Sequence, residues 1–189
     1  MALLVDLLRH GDTGHRGFRG QLDDPLTAQG WAQMRAAVAG GKWDAVVASP
    51  LQRCAAFARE LAAARGLSLR MDARWSEYHF GQWQDVPVET LAQEQGQALE
   101  RFWADPSAHS PPGAEAFTGF TARVQAAFDA LARQAGRVLV VTHGGPIRWL
   151  RCRAAGAPPS HMSAIEVAHA TLHRLRPMGV DVGCAKGTG

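Results

Sequence analysis

Two short apolar runs in this chain end in the same way. Leu3-Leu4-Val5-Asp6-Leu7-Leu8 stops on Arg9-His10-Gly11, and Val138-Leu139-Val140-Val141 stops on Thr142-His143-Gly144-Gly145. Each run is too short for a helix and, Asp6 apart, too uniformly apolar for a strand with one wet face. Both therefore read as strands covered on two sides, the kind found inside parallel sheets. Stretches with helical spacing lie between such runs, and strands alternating with helices predict an α/β fold. The expected architecture is a three-layer sandwich, with a mostly parallel central sheet and helices on both faces. A chain of 189 residues suffices for one such domain. It is expected to span residues 1–176, with 177–189 as a poorly ordered tail of low apolar content.

The remaining elements follow from breakers and caps. Residues 11–25, rich in glycine, aspartate and arginine, read as a loop. Thr27 caps a helix through Trp31, Met34 and Val38 that Gly40-Gly41 stops. After a strand at 45–48, Ser49 as N-cap and Pro50 at the first helical position start a helix that ends at Gly66. A third strand covers 67–71. Helices are expected at 88–104, 114–135 and 146–155, and a weaker final strand pair at 165–167 and 171–175. In folds of this kind ligands sit outside the carboxyl ends of the strands. That rule gathers Arg9-His10, Ser49-Pro50 and His143 at one edge.

Composition excludes several function classes. The net charge of +3 comes almost wholly from arginine, with no basic block and no arginines interleaved with aromatics, so no nucleic-acid partner is expected. Cys54, Cys152 and Cys184 form neither a disulfide framework nor a zinc pattern. A reducing compartment, the cytoplasm, is the expectation. The amino-terminal run lacks the marks of a signal peptide, and no stretch has the length of a membrane span.

At the strand ends the residue types point to an anion. Arg9, together with Arg53 near the start of the Ser49-Pro50 helix, can reach a phosphoryl group close to that helix's amino end, although from local sequence both could equally pair with surface carboxylates. One lone histidine is usually a satisfied core residue. Two at matching strand ends, each followed by a glycine that lets backbone approach, form a site in which one attacks and the other binds phosphoryl oxygens. Glu77, within Trp75-Ser76-Glu77-Tyr78-His79-Phe80-Gly81-Gln82-Trp83, is the carboxylate best placed in the aromatic loop to exchange a proton with the leaving oxygen, but spacing alone does not separate it from an ordinary surface glutamate.

Leu8-Arg9-His10-Gly11-Asp12-Thr13, Ala48-Ser49-Pro50-Leu51-Gln52-Arg53, Ser76-Glu77-Tyr78-His79-Phe80-Gly81-Gln82-Trp83 and Val141-Thr142-His143-Gly144-Gly145 occur in the order typical of the histidine phosphatase superfamily, the phosphoglycerate mutase-like proteins, which this chain resembles along almost its whole length. The resemblance implies that His10 is the phosphorylated nucleophile, that Arg9, Arg53 and His143 hold phosphoryl oxygens, and that Glu77 is the general acid and base. It implies no metal and no cofactor. The substrate would be a small-molecule phosphate monoester, and room is left for a homodimer. Gly144, His79 and Trp83 are further expected substrate contacts. The family commonly carries Glu in place of Asp12, an Asn in the loop that here reads Gly14-His15-Arg16-Gly17, Glu-Gly in place of Gln84-Asp85 and Thr in place of Phe57. Arg16 and Arg19 are the candidates to supply the missing Asn's phosphate contact.

Among branches, Leu22-Asp23-Asp24, Trp31-Ala32-Gln33-Met34-Arg35, Arg53-Cys54-Ala55 and Arg101-Phe102-Trp103-Ala104-Asp105-Pro106 look most like α-ribazole phosphatases of the bacterial cobalamin pathway. A broad-specificity phosphatase, a phosphoglycerate mutase and an inactive phosphate-binding regulatory module are the alternatives. Trp31, Trp43, Trp103 and Trp149 are expected in the core, Trp75 is open between core and pocket, and His15, His109, His161, His169 and His173 are expected to be surface or structural residues.

Overall fold

The computed structural model describes residues 3–134 and 136–176, so the expected tail at 177–189 and Cys184 lie outside the described residues. Five strands, β1 (Leu4–Arg9), β2 (Ala45–Ala48), β3 (Ser68–Met71), β4 (Arg137–Thr142) and β5 (Leu172–Leu175), form one sheet in the order β3-β2-β4-β1-β5. β1 to β4 are mutually parallel, and β5 joins the β1 edge antiparallel. The expected mostly parallel α/β sandwich is the observed fold.

The two-sided burial of the sheet explains its apolar runs. In β4, Val138 and Val140 pack into a cluster with residues of α3 (Val88–Ala104), α4 (Phe117–Leu131) and α5 (Gly144–Ala154). Leu139 and Val141 point the other way, into a cluster with α1 (Ala28–Val38) and α2 (Gln52–Arg65). All four are fully buried, and each such side chain stabilises the fold by roughly 1.5–3 kcal/mol. Asp6 interrupts β1 without breaking it because three donors meet its carboxylate: Trp43 Nε1 at 2.9 Å, Arg137 at 2.9 Å and Arg174 at 2.8 Å. Burial pushes the Asp6 carboxyl up, but these hydrogen bonds outweigh it and hold it below the usual 3.8.

Three local expectations are corrected. Ser49 is not the N-cap of α2, which begins at Gln52 after Leu51 with no cap from its own side chain. The Ser49 hydroxyl is instead engaged by His143 at 2.8 Å, and Asp23 reaches across from a loop to accept the Gln52 N–H at 2.6 Å. Residues 165–167 form no strand, because their carbonyls accept from arginine side chains. Arg148 bonds Ile165 O at 3.0 Å, Arg151 bonds Glu166 O at 3.0 Å and Arg9 bonds Val167 O at 2.6 Å. Finally, α4 starts at Phe117 and not at 114, since the Glu115 N–H pairs with His79 O at 3.1 Å outside any helix.

Candidate active site

Strand register builds the site. Arg9 pairs with Thr142 and Ala48 with Val141, so the next residues, His10, His143 and Ser49, emerge side by side at the carboxyl edge of the sheet. The backbone seals the arrangement, with His10 N–H on Thr142 O at 2.9 Å and Ser49 N–H on Val141 O at 3.0 Å. The His10 and His143 rings meet edge to face, centroids 5.2 Å apart. Gly11 is required here because a side chain at that position would run into the Gly30 carbonyl of α1.

His10 is buried, and its Nδ1 lies 2.8 Å from its neighbour's carbonyl, Gly11 O. A carbonyl only accepts, so Nδ1 carries the proton and Nε2 is left with a free lone pair. Burial drives the ring's pKa well below 6.5, the Arg53 and Arg9 charges push the same way, and only the Gly11 bond opposes them. The imidazole is therefore neutral at pH 7 and able to attack. Arg9 Nε is buried without a partner among the described residues, leaving a donor free. Burial lowers the Arg9 guanidinium to about 10, with Glu77 working against it, so the side chain stays cationic.

Arg53 is fully buried in the first turn of α2 and held on three sides. Its terminal nitrogens donate to Leu22 O and Gly20 O, both at 2.6 Å, and its Nε to His143 Nδ1 at 3.2 Å. His143 Nδ1 thus accepts, and Nε2–H donates to Ser49 Oγ. Both nitrogens expected to hold phosphoryl oxygens are occupied by protein partners in this structure, so His143 braces Arg53 and packs against His10. The Cys54 thiol lies 3.6 Å from His143 Nε2, and burial pushes it up to about 12, which makes it an inert packing group.

Glu77 is fixed by backbone. Its Oε1 accepts the Tyr78 N–H at 2.8 Å, and the Gly145 N–H at the start of α5 is shared by both carboxylate oxygens at 3.1 Å. Glu77 and Phe80 border two neighbouring cavities. One, of about 620 Å³, also holds Arg9, His10, Arg16, Arg19, Arg53 and His169. The other, of about 550 Å³, has Phe18, Tyr78, Phe80, Phe102, Trp103 and Phe120 in its walls, with Arg148 among them. Phe18 and Phe80 stack at 4.4 Å. The carboxylate stands at the border between a basic pocket and an aromatic one.

The other expected contacts separate. Arg16 is exposed at the rim of the basic pocket. Arg19 lines it too, but it donates at 2.7 Å to each Asp24 oxygen and also bonds Asp85, so two carboxylates already take its charge. Gly144 packs where a side chain would crowd Arg148 and Arg9. Trp83 is 1 % exposed, with Nε1 on Gln95 at 3.0 Å, and is a core residue. His79 accepts the Gly81 N–H at 3.1 Å and lines neither cavity. Trp75 is fully buried. Conversely, Trp103 is 38 % exposed and walls the aromatic cleft, and His169 lines the basic pocket. Sequence spacing held no signal for these two, since tertiary packing alone brings them to the site.

A buried, neutral histidine with a free Nε2 lone pair, ringed by guanidinium groups at the carboxyl edge of a parallel sheet, makes a site suited to a phosphoryl group on an α/β fold. The model of the histidine phosphatase superfamily (branch 1) matches residues 5–182, and the chain belongs to that family. It is 35 % identical over 153 residues to a bifunctional protein of Mycobacterium tuberculosis, covering 76 % of this chain and 42 % of that protein. The chain thus spans less than half the length of that relative. It is 29 % identical over 196 residues to the adenosylcobalamin/alpha-ribazole phosphatase of Escherichia coli K12, covering 93 % and 97 % of the two chains. The solved mycobacterial glucosyl-3-phosphoglycerate phosphatase superposes with a TM-score of 0.81 at 26 % identity, over 90 % of this chain and 88 % of that one. Among the described residues no helix is long and apolar enough to cross a membrane.

Proposed function

We propose that this protein is a metal-independent phosphomonoesterase working through a phosphohistidine. The observation that carries this reading is the His10 to Gly11 hydrogen bond of 2.8 Å, which directs the lone pair to Nε2 beside Arg9 and Arg53. In the first half-reaction Nε2 forms a bond to phosphorus, the ester P–O bond breaks and Glu77 delivers a proton to the departing oxygen. In the second, water attacks phosphorus, Glu77 takes its proton, the P–N bond breaks and phosphate leaves. Arg9 and Arg53 offset the charge of the transferring group.

The substrate is read as α-ribazole 5'-phosphate or its cobamide precursor, whose leaving group is a ribose 5'-hydroxyl carrying an aromatic base. The aromatic walls beside Glu77 suit a benzimidazole, and one relative of nearly the same length carries that activity in its name. Arg148 favours a second reading, a phosphate ester of a sugar acid, because its guanidinium in the same cleft could meet a carboxylate. A phosphate-release panel of α-ribazole 5'-phosphate, sugar phosphates, nucleotides and phosphoglycerates tests this. Highest kcat/KM on the benzimidazole riboside 5'-phosphate is expected, whereas preference for phosphoglycerate esters favours the second reading and isomerisation without phosphate release points to a mutase.

A further inference from the structure

The segment 167–171 crosses the end of β1 and is fastened to the two catalytic positions there. Arg9 donates from its side chain to Val167 O at 2.6 Å and from its backbone to Thr171 O at 3.2 Å. The Ala170 N–H is shared between Arg9 O at 3.1 Å and His10 O at 3.2 Å. To make that contact Ala170 adopts φ 53°, a left-handed conformation that an L-alanine disfavours. Strain kept beside an active site points to a placement the site needs.

What the strain places is His169. Its Nε2 lies 3.0 Å from an Arg9 terminal nitrogen, and its ring centroid is 5.4 Å from that of His10. Guanidinium nitrogens only donate, so Nε2 accepts and the proton of the neutral ring resides on Nδ1. No protein acceptor takes Nδ1 among the described residues, and the residue lines the cavity that holds His10, Arg9 and Arg53. Burial, followed by the Arg9 charge, lowers the ring to about 4 against a smaller opposing pull from Asp12, so it is neutral in ordinary buffers.

Resting on the phosphoryl-transfer reading above, we propose that His169 is a further phosphoryl-binding residue, fixing Arg9 through Nε2 and donating from Nδ1–H to an oxygen of the transferring group. It would supply the donor that the loop's missing Asn leaves open, which Arg19 cannot do while bound to Asp24 and Asp85.

Two variants divide the two contacts. His169→Asn retains a donor near the Nδ1 position and loses the acceptor for Arg9, whereas His169→Gln retains an acceptor near Nε2 and loses that donor. Inorganic phosphate binding, measured by calorimetry on the whole chain, reads the site without needing turnover. Phosphate Kd is expected to rise about tenfold in His169→Gln and His169→Ala, as for a lost hydrogen bond to a charged ligand, and by less than threefold in His169→Asn, with unchanged melting temperatures. Unchanged Kd in His169→Ala overturns the proposal, as does an equal loss in all three variants, which marks a purely structural residue. If the unmutated protein itself fails to bind phosphate, the phosphoryl-transfer reading falls and this proposal with it.

Discussion

The Gly145 N–H at the first turn of α5 is shared by both carboxylate oxygens of Glu77, each at 3.1 Å. The contact is possible only because residue 145 has no side chain, since a Cβ there would fall on Glu77 Oε1. Gly145→Ala is therefore expected to displace the carboxylate and slow turnover of alkyl phosphates by at least about tenfold. Activated aryl phosphates, whose leaving oxygen needs no proton, should be spared. Steady-state kcat/KM on the two substrate types, which reports the first half-reaction and not the shared hydrolysis, checks this, and equal losses on both would remove Glu77 from the acid role. Glu77→Gln should show the same split more strongly.

The pH dependence of activity follows from His10. In the proposed mechanism the attacking form is the neutral ring, and burial with the two arginines holds its pKa well below 6.5. Activity is present above that lowered value, so the acid limb of kcat/KM lies below pH 6.5. Arg53→Met removes the larger of the two charge contributions and should move the acid limb upward, toward 6.5, besides lowering the rate. An acid limb that stays in place in this variant would mean that another group titrates.

The same burial has a signature in stability. His10 and His143 are both held well below 6.5 in the fold, while the unfolded chain takes up protons on them from about pH 6.5 downward. Their stabilisation is complete above the unfolded value and is lost as pH falls toward the folded values. With both rings still neutral in the fold at pH 5.5, their share of the loss between pH 7.5 and 5.5 is about 2–3 kcal/mol, to which His169, lowered to about 4, adds in the same direction. Urea unfolding at the two pH values measures it, and no change in midpoint would show that the rings are accessible to protons in the native state.

Much of this was legible in the sequence, for identifiable reasons. The strands of β1, β2 and β4 announced themselves because a sheet covered on both faces needs continuous apolar runs, and register then forces His10 next to His143. Arg53 followed from its place near the start of the Ser49-Pro50 helix, but motif resemblance was needed to set it and Glu77 apart from surface residues. Three of the failures share one cause, long-range competition for hydrogen bonds. Ser49 looks like a helix cap but is taken by His143, residues 165–167 look like a strand but serve three arginines, and Arg19 looks free but is bound by Asp24 and Asp85. Trp83 and Trp103 exchanged roles because tertiary packing around Phe18 and Phe102 decides which of the two rings is covered, Trp83 in the segment before α3 and Trp103 in its last turn. His169 was hidden because only the arch over β1 brings it to Arg9.

Asp6 tests the account of the core. It is 3 % exposed, but Arg137 and Arg174 reach solvent, so removing the carboxylate strands chiefly the buried Trp43 Nε1. Asp6→Ala is expected to cost about 2 kcal/mol at pH 7. The carboxylate's contribution is present above 3.8 and lost as pH falls through its lowered value in the fold, so the variant should lose part of the protein's acid sensitivity between pH 5 and 2. Calorimetric melting across that range checks both the size and the slope.

The central claim is covalent: His10 Nε2 carries the phosphoryl group between the two halves of the reaction. Rapid mixing with a turned-over phosphate monoester, quenching in base and mass mapping of the peptides tests it most directly. The expected result is one phosphoryl group on His10, stable to base, lost in acid, and absent with turnover abolished in His10→Ala. Undiminished turnover in His10→Ala, or a phosphoryl group trapped on a different residue, would contradict the account.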